Sequence, residues 1–138
     1  MKHNSERELI ARGIILHDGA VLVNFSRNKK TGERYCALPG GHVDPGESCA
    51  EALRRELLEE LGCDSQVEDL RFVAESVYAG RKASDKMRHE VVLYFATTLL
   101  QTPSTDGQRI LSPEPEKTFR WLPLSDLESA NLLPPNAS

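Results

Sequence analysis

The sequence has few cysteines, and they are not spaced as a disulfide framework or a zinc site requires. There are three, Cys36, Cys49 and Cys63, and no two of them form a C-x-x-C pair. An odd number of widely spaced cysteines is typical of a protein kept in a reducing compartment. The sequence therefore predicts a cytoplasmic protein whose fold depends on neither disulfides nor thiolate-bound zinc.

Long apolar runs are also absent. No stretch reaches the roughly 18 apolar residues of a membrane-spanning helix, and residues 2–8 are all polar or charged. We therefore expect no membrane span. The length of 138 residues is that of one domain, and we expect a single domain over 1–138 with a core from about 8 to 133.

An excess of positive charge is lacking as well. The chain carries 17 basic and 21 acidic residues, a net charge of −4. Such a balance gives no general electrostatic reason to bind duplex nucleic acid or an anionic membrane. Any phosphate group must therefore be bound locally.

The segments that are present predict a mixed α/β or α+β domain. Asp18-Gly19 between two apolar runs indicates a β-hairpin, because glycine accepts a positive φ. A short final helix is expected near Ser125. Strands are predicted at 9–16, 21–25, 35–38, 71–78, 89–99 and 118–122, with turns over 102–115.

One helix is marked clearly at both ends. Residues 39–47 contain two prolines and three glycines, which predicts a shaped loop rather than a helix or a central strand. Ser48 and Glu51 match a capping box, so the helix should begin at about Cys49, and Gly62 should end it. A helical wheel places Ala50, Leu53, Leu57 and Leu61 on the side that faces the core.

Three glutamates share the neighbouring arc of this helix. Glu56, Glu59 and Glu60 repel one another at this spacing, and the last two lie at the negative end of the helix dipole. A solvated acidic face is one interpretation, whereas the shaped loop that leads into the helix favours a functional site. Clustered carboxylates suit Mg²⁺ or Mn²⁺, and metal-assisted hydrolysis at phosphorus is the reaction that follows.

The spacing of these residues resembles a known motif. Gly41 is followed by five residues, Glu47, seven residues and then Arg-Glu-Leu-Leu-Glu-Glu-Leu-Gly-Cys at 55–63. The segment resembles the Nudix box, the signature of the Nudix (MutT-like) hydrolase superfamily. Cys63 takes a position that is usually aliphatic, and a buried cysteine can serve there as a small apolar residue. The six acidic and two basic residues of 41–63 account for the whole net charge of −4.

The resemblance implies an α/β/α sandwich with a mixed central sheet, in which the box forms a loop-helix-loop. It also implies a metal site for Mg²⁺ or Mn²⁺. By motif position the ligands would be Glu56, Glu59 and Glu60, a backbone carbonyl at Gly40 or Gly41, and Glu47 as a further ligand or electrostatic partner.

The resemblance further implies catalytic roles. Arg55 would pair with the box glutamates and fix their orientation, which a planar guanidinium does better than an ammonium. A glutamate would accept the proton of the attacking water, and the sequence leaves its identity open. The candidates are Glu56 and Glu59 inside the box and Glu90, Glu114 and Glu116 outside it, with Glu116 preferred among the last three.

Substrate recognition is less well marked. Two basic clusters, one with Arg27 and one with Arg81, are candidates for phosphate binding, and Tyr78 is a candidate for stacking on a base. Solvated hairpin tips and core aromatic residues are the alternative interpretations. The resemblance implies a nucleotide-derived substrate and, by analogy alone, is compatible with a homodimer.

The expected function is therefore a divalent-metal-dependent pyrophosphohydrolase. Its substrate would be a nucleoside diphosphate linked to another moiety: a nucleoside triphosphate, an oxidised nucleotide or a nucleotide sugar such as ADP-ribose. The alternatives are a catalytically silent Nudix-fold regulator that binds nucleotide or metal, and an enzyme that processes RNA 5′ ends.

Overall fold

The computed structural model of the chain describes residues 7–27, 31–78, 87–107, 109–114 and 117–128. Within them lie one α-helix and ten strands. The helix is α1 (Cys49–Leu61), and a 3-10 turn covers Leu124–Asp126. The strands are β1 (Arg7–Ile14), β2 (Leu16–His17), β3 (Ala20–Arg27), β4 (Arg34–Ala37), β5 (Gly40–His42), β6 (Ser65–Tyr78), β7 (Arg88–Leu99), β8 (Thr105–Asp106), β9 (Arg109–Ile110) and β10 (Thr118–Pro123).

The strands form two sheets. The first has the order β5-β1-β7-β6, in which β1 and β7 run parallel from Arg7 opposite His89 to Ile14 opposite Ala96. Its other pairs are antiparallel, so this sheet is mixed, as expected. The second sheet has the order β2-β3-β10-β9-β8, and β4 pairs with β3. Its pairs are all antiparallel.

The predicted hairpin and helix ends are confirmed. Asp18 and Gly19 have positive φ values of 50° and 76° between the paired strands β2 and β3. Helix α1 begins after Ser48, and both bonds of the capping box with Glu51 are present. It ends at Gly62, whose φ of 71° lies in the left-handed region that glycine favours.

The apolar side of α1 packs on the core, with one correction to the helical wheel. Leu53, Leu57 and Leu61 are buried as predicted, but Ala52 is fully buried and Ala50 only half-buried. The buried leucines join a cluster completed by Ala11, Ile15, Leu22, Cys63, Ile110 and Phe119. Helix α1 contacts β1, β5 and β6, so the loop and the helix of the motif lie against the first sheet.

Several elements differ from the prediction. Strand β6 begins at Ser65 rather than at residue 71. It lies at the edge of its sheet and most of residues 65–70 are exposed, so the sequence there lacks the alternation of apolar and polar residues that marks a strand. The shaped loop includes the short strand β5, which lies at the sheet edge where glycines are tolerated. Segment 102–115, predicted as turns, contains the short strands β8 and β9. The helix expected near Ser125 is only a 3-10 turn within the described residues, which end at 128. No helix in the described ranges has the length and apolar character needed to cross a membrane.

Candidate active site

Two glycines bring the loop backbone against the carboxylates of α1. Gly40 has a φ of +140°, and a Cβ there would lie 2.1 Å from the carbonyl oxygen of Ala11. A Cβ on Gly41 would lie 2.5 Å from the carboxyl carbon of Glu56. The close approach lets the Gly40 N–H donate to Oε1 of Glu60 at 3.3 Å. Gly40 is therefore required by space as well as by conformation, whereas a side chain at Gly41 would displace the Glu56 carboxylate.

Arg55 fixes the loop to the helix through a bidentate ion pair. Its Nε and Nη2 donate to the two carboxylate oxygens of Glu47 at 2.6 and 3.0 Å. Nη2 also donates to the carbonyl oxygen of His42 at 3.2 Å. The hydrogen bonds from Arg55 hold the pKa of Glu47 below its usual value, and Glu47 in turn raises the pKa of Arg55. The pair is thus a rigid, fully charged bracket.

The other guanidinium contacts of Arg55 reach further acidic residues. Nη1 lies 3.3 Å from Oε2 of Glu56 and 3.5 Å from Oε1 of Glu59. Nη2 lies 3.4 Å from Oδ2 of Asp44. One arginine therefore compensates part of the repulsion among the box carboxylates, and its contacts with Glu47 and Glu56 are those that the predicted orienting role would need.

Glu60 is the most deeply buried carboxylate of the helix. The residue is only 3% exposed. Burial raises its pKa to about 7, while Lys117 and the Gly40 N–H act in the opposite direction. Burial also raises the pKa of Glu56, although Arg55 opposes that shift. Both carboxylates therefore carry a desolvation cost that a bound cation would relieve.

Lys117 is a site residue that the sequence prediction missed. Its Nζ lies 3.4 Å from Oε2 of Glu60 and 3.5 Å from Oε1 of Glu114. Burial alone would lower the pKa of Lys117, but the two carboxylates raise it. One lysine in a polar stretch belongs to no motif, so no pattern in the sequence indicates this contact.

The segment before β10 holds Lys117 in place against the helix. The Lys117 N–H donates to the carbonyl oxygen of Glu114 at 3.0 Å. The Glu114 N–H donates to Oγ of Ser112 at 2.9 Å, and Ser112 Oγ donates to the carbonyl oxygen of Glu60. The backbone around Lys117 is therefore tied to the last turn of α1.

A cavity of about 270 Å³ opens where these groups meet. Its lining includes Glu56, Glu60 and Lys117, the backbone at 40–41, and Asn24. Oδ1 of Asn24 is buried and has no hydrogen-bond partner among the described residues. A polar cavity with an unsatisfied buried acceptor fits a polar ligand. A larger cavity of about 410 Å³ lies near Gly62 and Pro113 and has no carboxylate in its lining.

The expected metal ligands are divided between this cavity and the Arg55 bracket. Glu56 and Glu60 line the cavity, whereas Glu47 and Glu59 contact Arg55 from outside it. As the side chains stand, no three acidic, histidine or cysteine residues in the described ranges are grouped to hold a metal ion. The all-oxygen donors and the buried carboxylate at Glu60 nevertheless suit a hard divalent cation.

The remaining predicted residues lie elsewhere. Nη1 of Arg27 donates to the carbonyl oxygen of Gly32 at 3.0 Å, at the exposed end of β3. The hydroxyl of Tyr78 donates to Oε2 of Glu90 at 2.8 Å. Glu90, one of the candidate proton acceptors, therefore already has a hydrogen-bond partner. Neither Arg27 nor Tyr78 lines the cavity. Arg81 and Glu116 lie outside the described residues.

The chain is similar to known proteins in both sequence and structure. A Bacillus subtilis (strain 168) protein with the provisional name 8-oxo-dGTP diphosphatase is 33% identical over 85 residues, 62% of this chain and 48% of that protein. The chain thus spans about half the length of that relative. The MutT NUDIX hydrolase of Burkholderia pseudomallei has a similar structure, with a TM-score of 0.60, 24% identity and coverage of 96% of this chain and 91% of that one.

A second structure agrees with the first. The NUDIX hydrolase of Nitrosomonas europaea gives a TM-score of 0.62 at 20% identity, covering 91% of this chain and 78% of that one. At these identities the structures establish the mixed α+β fold alone. The family model described as NUDIX domain matches residues 7–138, nearly the whole sequence. The resemblance seen in the motif is therefore confirmed, and the chain belongs to the Nudix family.

Proposed function

We propose that this protein is a divalent-metal-dependent pyrophosphohydrolase. Its substrate is a nucleoside diphosphate linked to another moiety, and water attacks a phosphorus of the pyrophosphate. The observation that supports this most is the cavity in which Glu56 and Glu60 face the backbone of 40–41. Two partly desolvated carboxylates beside exposed backbone groups are suited to a hard cation and, through it, to phosphate.

The metal would be Mg²⁺ or Mn²⁺. Glu56, Glu60 and a carbonyl at Gly40 or Gly41 would hold it, and a rotamer change of Glu59, whose side chain is 49% exposed, would add a further oxygen. When bound, a divalent cation lowers the pKa of a coordinated water and offsets charge on phosphate oxygens.

The protein's own residues supply orientation and proton transfer. Arg55 holds Glu56 at 3.3 Å and Glu47 through two bonds, so the loop and helix keep a fixed relation while substrate enters. Among the box carboxylates, Glu59 is the one we propose as proton acceptor when it is not a metal ligand, because Glu56 and Glu60 already line the cavity as proposed ligands, whereas the exposed Glu59 side chain can turn toward the cavity. Glu116 is the alternative from the sequence.

The cavity is the place where we expect the phosphate groups of the substrate to bind, because its volume of about 270 Å³ lies beside Glu56 and Glu60. The name of the Bacillus subtilis relative makes oxidised nucleoside triphosphates the first substrates to test, with nucleotide sugars such as ADP-ribose second.

The cellular setting proposed is the cytoplasm. Cys36, Cys49 and Cys63 are all free thiols, and Cys36 and Cys63 are buried. Free buried thiols fit a reducing compartment in which nucleotides are abundant.

A substrate panel tests the proposal directly. The purified protein would be assayed with 8-oxo-dGTP, the ordinary nucleoside triphosphates, ADP-ribose, UDP-sugars and capped RNA, with Mg²⁺ and Mn²⁺ in separate series. We expect release of a nucleoside monophosphate, with pyrophosphate or the second phosphate-containing product, from at least one compound, and none in the presence of EDTA. Metal binding by calorimetry without turnover of any compound would overturn the proposal and favour a silent regulator.

A further inference from the structure

Lys117 is a cation whose position the motif does not explain. It lies outside the box, yet its Nζ is 3.4 Å from the innermost box carboxylate, Glu60. In the described part of the chain no other basic side chain lies within ion-pair distance of Glu60. Lys117 also lines the 270 Å³ cavity together with Glu56 and Glu60. The ammonium therefore lies where we expect a divalent cation to act.

The geometry of Lys117 favours exchange over a fixed contact. Its distances of 3.4 and 3.5 Å to Glu60 and Glu114 are long for ion pairs, and the ammonium is shared between the two carboxylates. The side chain is 37% exposed, unlike Glu60 at 4%. A lysine is a compact charge on a flexible stem, so it can leave one carboxylate while the other retains it.

A second cation at Glu60 would meet this ammonium at close range. Like charges a few ångströms apart repel strongly in a partly buried site. The bonds from Ser112 and Glu114 keep the Lys117 backbone beside α1, so the ammonium cannot leave the region. The accessible destinations are Glu114 and the open cavity, where substrate phosphate oxygens would lie.

We propose that Lys117 is an exchangeable counter-ion that neutralises Glu60 in the metal-free protein and binds a phosphate oxygen once a divalent cation has taken that carboxylate. This inference rests on the proposed function, because it assumes that phosphate enters the same cavity. The role requires a charge that is tethered and mobile. Lys117 meets both conditions, whereas Arg55, locked to Glu47 by two short bonds, meets only the first.

The test compares metal and phosphate binding in three variants. Lys117→Met removes the charge, Lys117→Arg keeps it, and Arg54→Met removes a charge from an exposed position of α1, the helix that carries Glu60. Calorimetry with Mg²⁺ alone and then with inorganic phosphate on the Mg²⁺-saturated protein requires no turnover. Measurement at pH 8.5, above the pKa of about 7 at Glu60, keeps most of this carboxylate ionised in the parent protein. Because removal of Lys117 raises that pKa further, the comparison is repeated at pH 9.5.

The expected changes have opposite signs. Lys117→Met should bind Mg²⁺ about fivefold more tightly, because a competing charge is gone, and inorganic phosphate about fivefold more weakly. Lys117→Arg and Arg54→Met should each stay within about twofold of the parent protein in Mg²⁺ affinity, and Arg54→Met should do so for phosphate as well.

Other outcomes would overturn the inference. Unchanged or weaker Mg²⁺ binding in Lys117→Met would show that the lysine does not compete with the metal. Unchanged phosphate binding in Lys117→Met would show that the lysine does not bind a phosphate oxygen. Equal changes in Arg54→Met would show that the effect on affinity comes from long-range charge and not from the position of Lys117. Circular dichroism checks the fold, and Lys117→Gln replaces Lys117→Met should that variant unfold. Failure of the substrate panel, in contrast, would leave these binding results intact and would count against the proposed function alone.

Discussion

Two cations of the site, Arg55 and Lys117, differ in how they hold carboxylates. Arg55 makes two short bonds to Glu47, at 2.6 and 3.0 Å, on the outer side of the box. Lys117 makes two long contacts, at 3.4 and 3.5 Å, on the inner side with Glu60 and Glu114. We call Arg55, Glu47 and Glu59 the outer half of the site, and Gly40, Glu60 and Lys117 the inner half.

The difference separates a carboxylate whose charge is matched by a fixed cation from one whose charge is only partly matched. In the outer half the pKa of Glu47 is lowered, because its charge is fully matched by Arg55. In the inner half burial raises the pKa of Glu60 to about 7, because one ammonium does not offset the desolvation of that carboxylate. The outer half therefore stabilises the loop, whereas the negative charge of the inner half is only partly compensated.

The largest effect is expected from Glu60→Gln. The variant keeps the size of the side chain but removes the buried charge that would hold the metal, so kcat should fall at least about 10³-fold. Steady-state kinetics on the best substrate of the panel measures it. Glu47→Gln in the outer half is the matched control and should lose about tenfold. Equal losses in the two variants would contradict the division into halves.

The second prediction concerns pH and the metal-free protein. Because the pKa of Glu60 is raised from 4.5 to about 7 in the folded state, the folded protein retains a proton that the unfolded chain has lost. Its free energy of unfolding should therefore fall by about 3 kcal/mol as pH rises from 4.5 through 7. Urea denaturation with EDTA measures this slope. Glu60→Gln should flatten it, and a parent profile without the fall would contradict the burial argument.

The third prediction tests the outer half by its geometry rather than its charge. Arg55→Lys keeps the positive charge but cannot make the paired bonds to Glu47, so kcat should fall about thirtyfold while the fold persists. Steady-state kinetics measures kcat, and circular dichroism checks that the fold persists. Retention of more than half of the activity would mean that charge alone is sufficient there.

The smallest effect is expected at the start of the helix. Ser48→Ala removes the capping bond that the Glu51 N–H donates to Ser48 Oγ at 3.1 Å. The free energy of unfolding should fall by about 1 kcal/mol, and kcat should change by less than about twofold. Thermal denaturation and kinetics check both. A large loss of activity would extend the site to the first turn of α1.

The sequence predicted those features that depend on neighbours along the chain. Both ends of α1 followed from Ser48, Glu51 and Gly62, because caps are local hydrogen-bond patterns. The Asp18-Gly19 hairpin followed from conformational preference in the same way. The box spacing, with Arg55 and the glutamates, was sufficient to indicate the family that the domain model later confirmed.

Features that depend on contacts between distant segments were not predictable. Lys117 reaches Glu60 across 57 residues, and no spacing rule relates the two positions. Glu56 and Glu60 line the cavity, whereas Glu47 and Glu59 contact Arg55 outside it. This division depends on which side of α1 meets the loop. The sequence alone does not show that Gly40 has no room for a side chain, because the atoms that a Cβ would meet belong to the distant backbone of Ala11 and Arg12.

The parallel pairing of β1 with β7 has a consequence for how the protein assembles. Arg7 pairs with His89, about eighty residues further along the chain, and β5 pairs with the other edge of β1. Contacts of such long range slow folding, because the chain must close a large loop before they form. The backbone groups of the site come from β5 and are fixed only once β1 is in its sheet. If the proposed metal site is correct, saturable Mg²⁺ binding should therefore appear in refolding experiments together with the complete sheet and not before it.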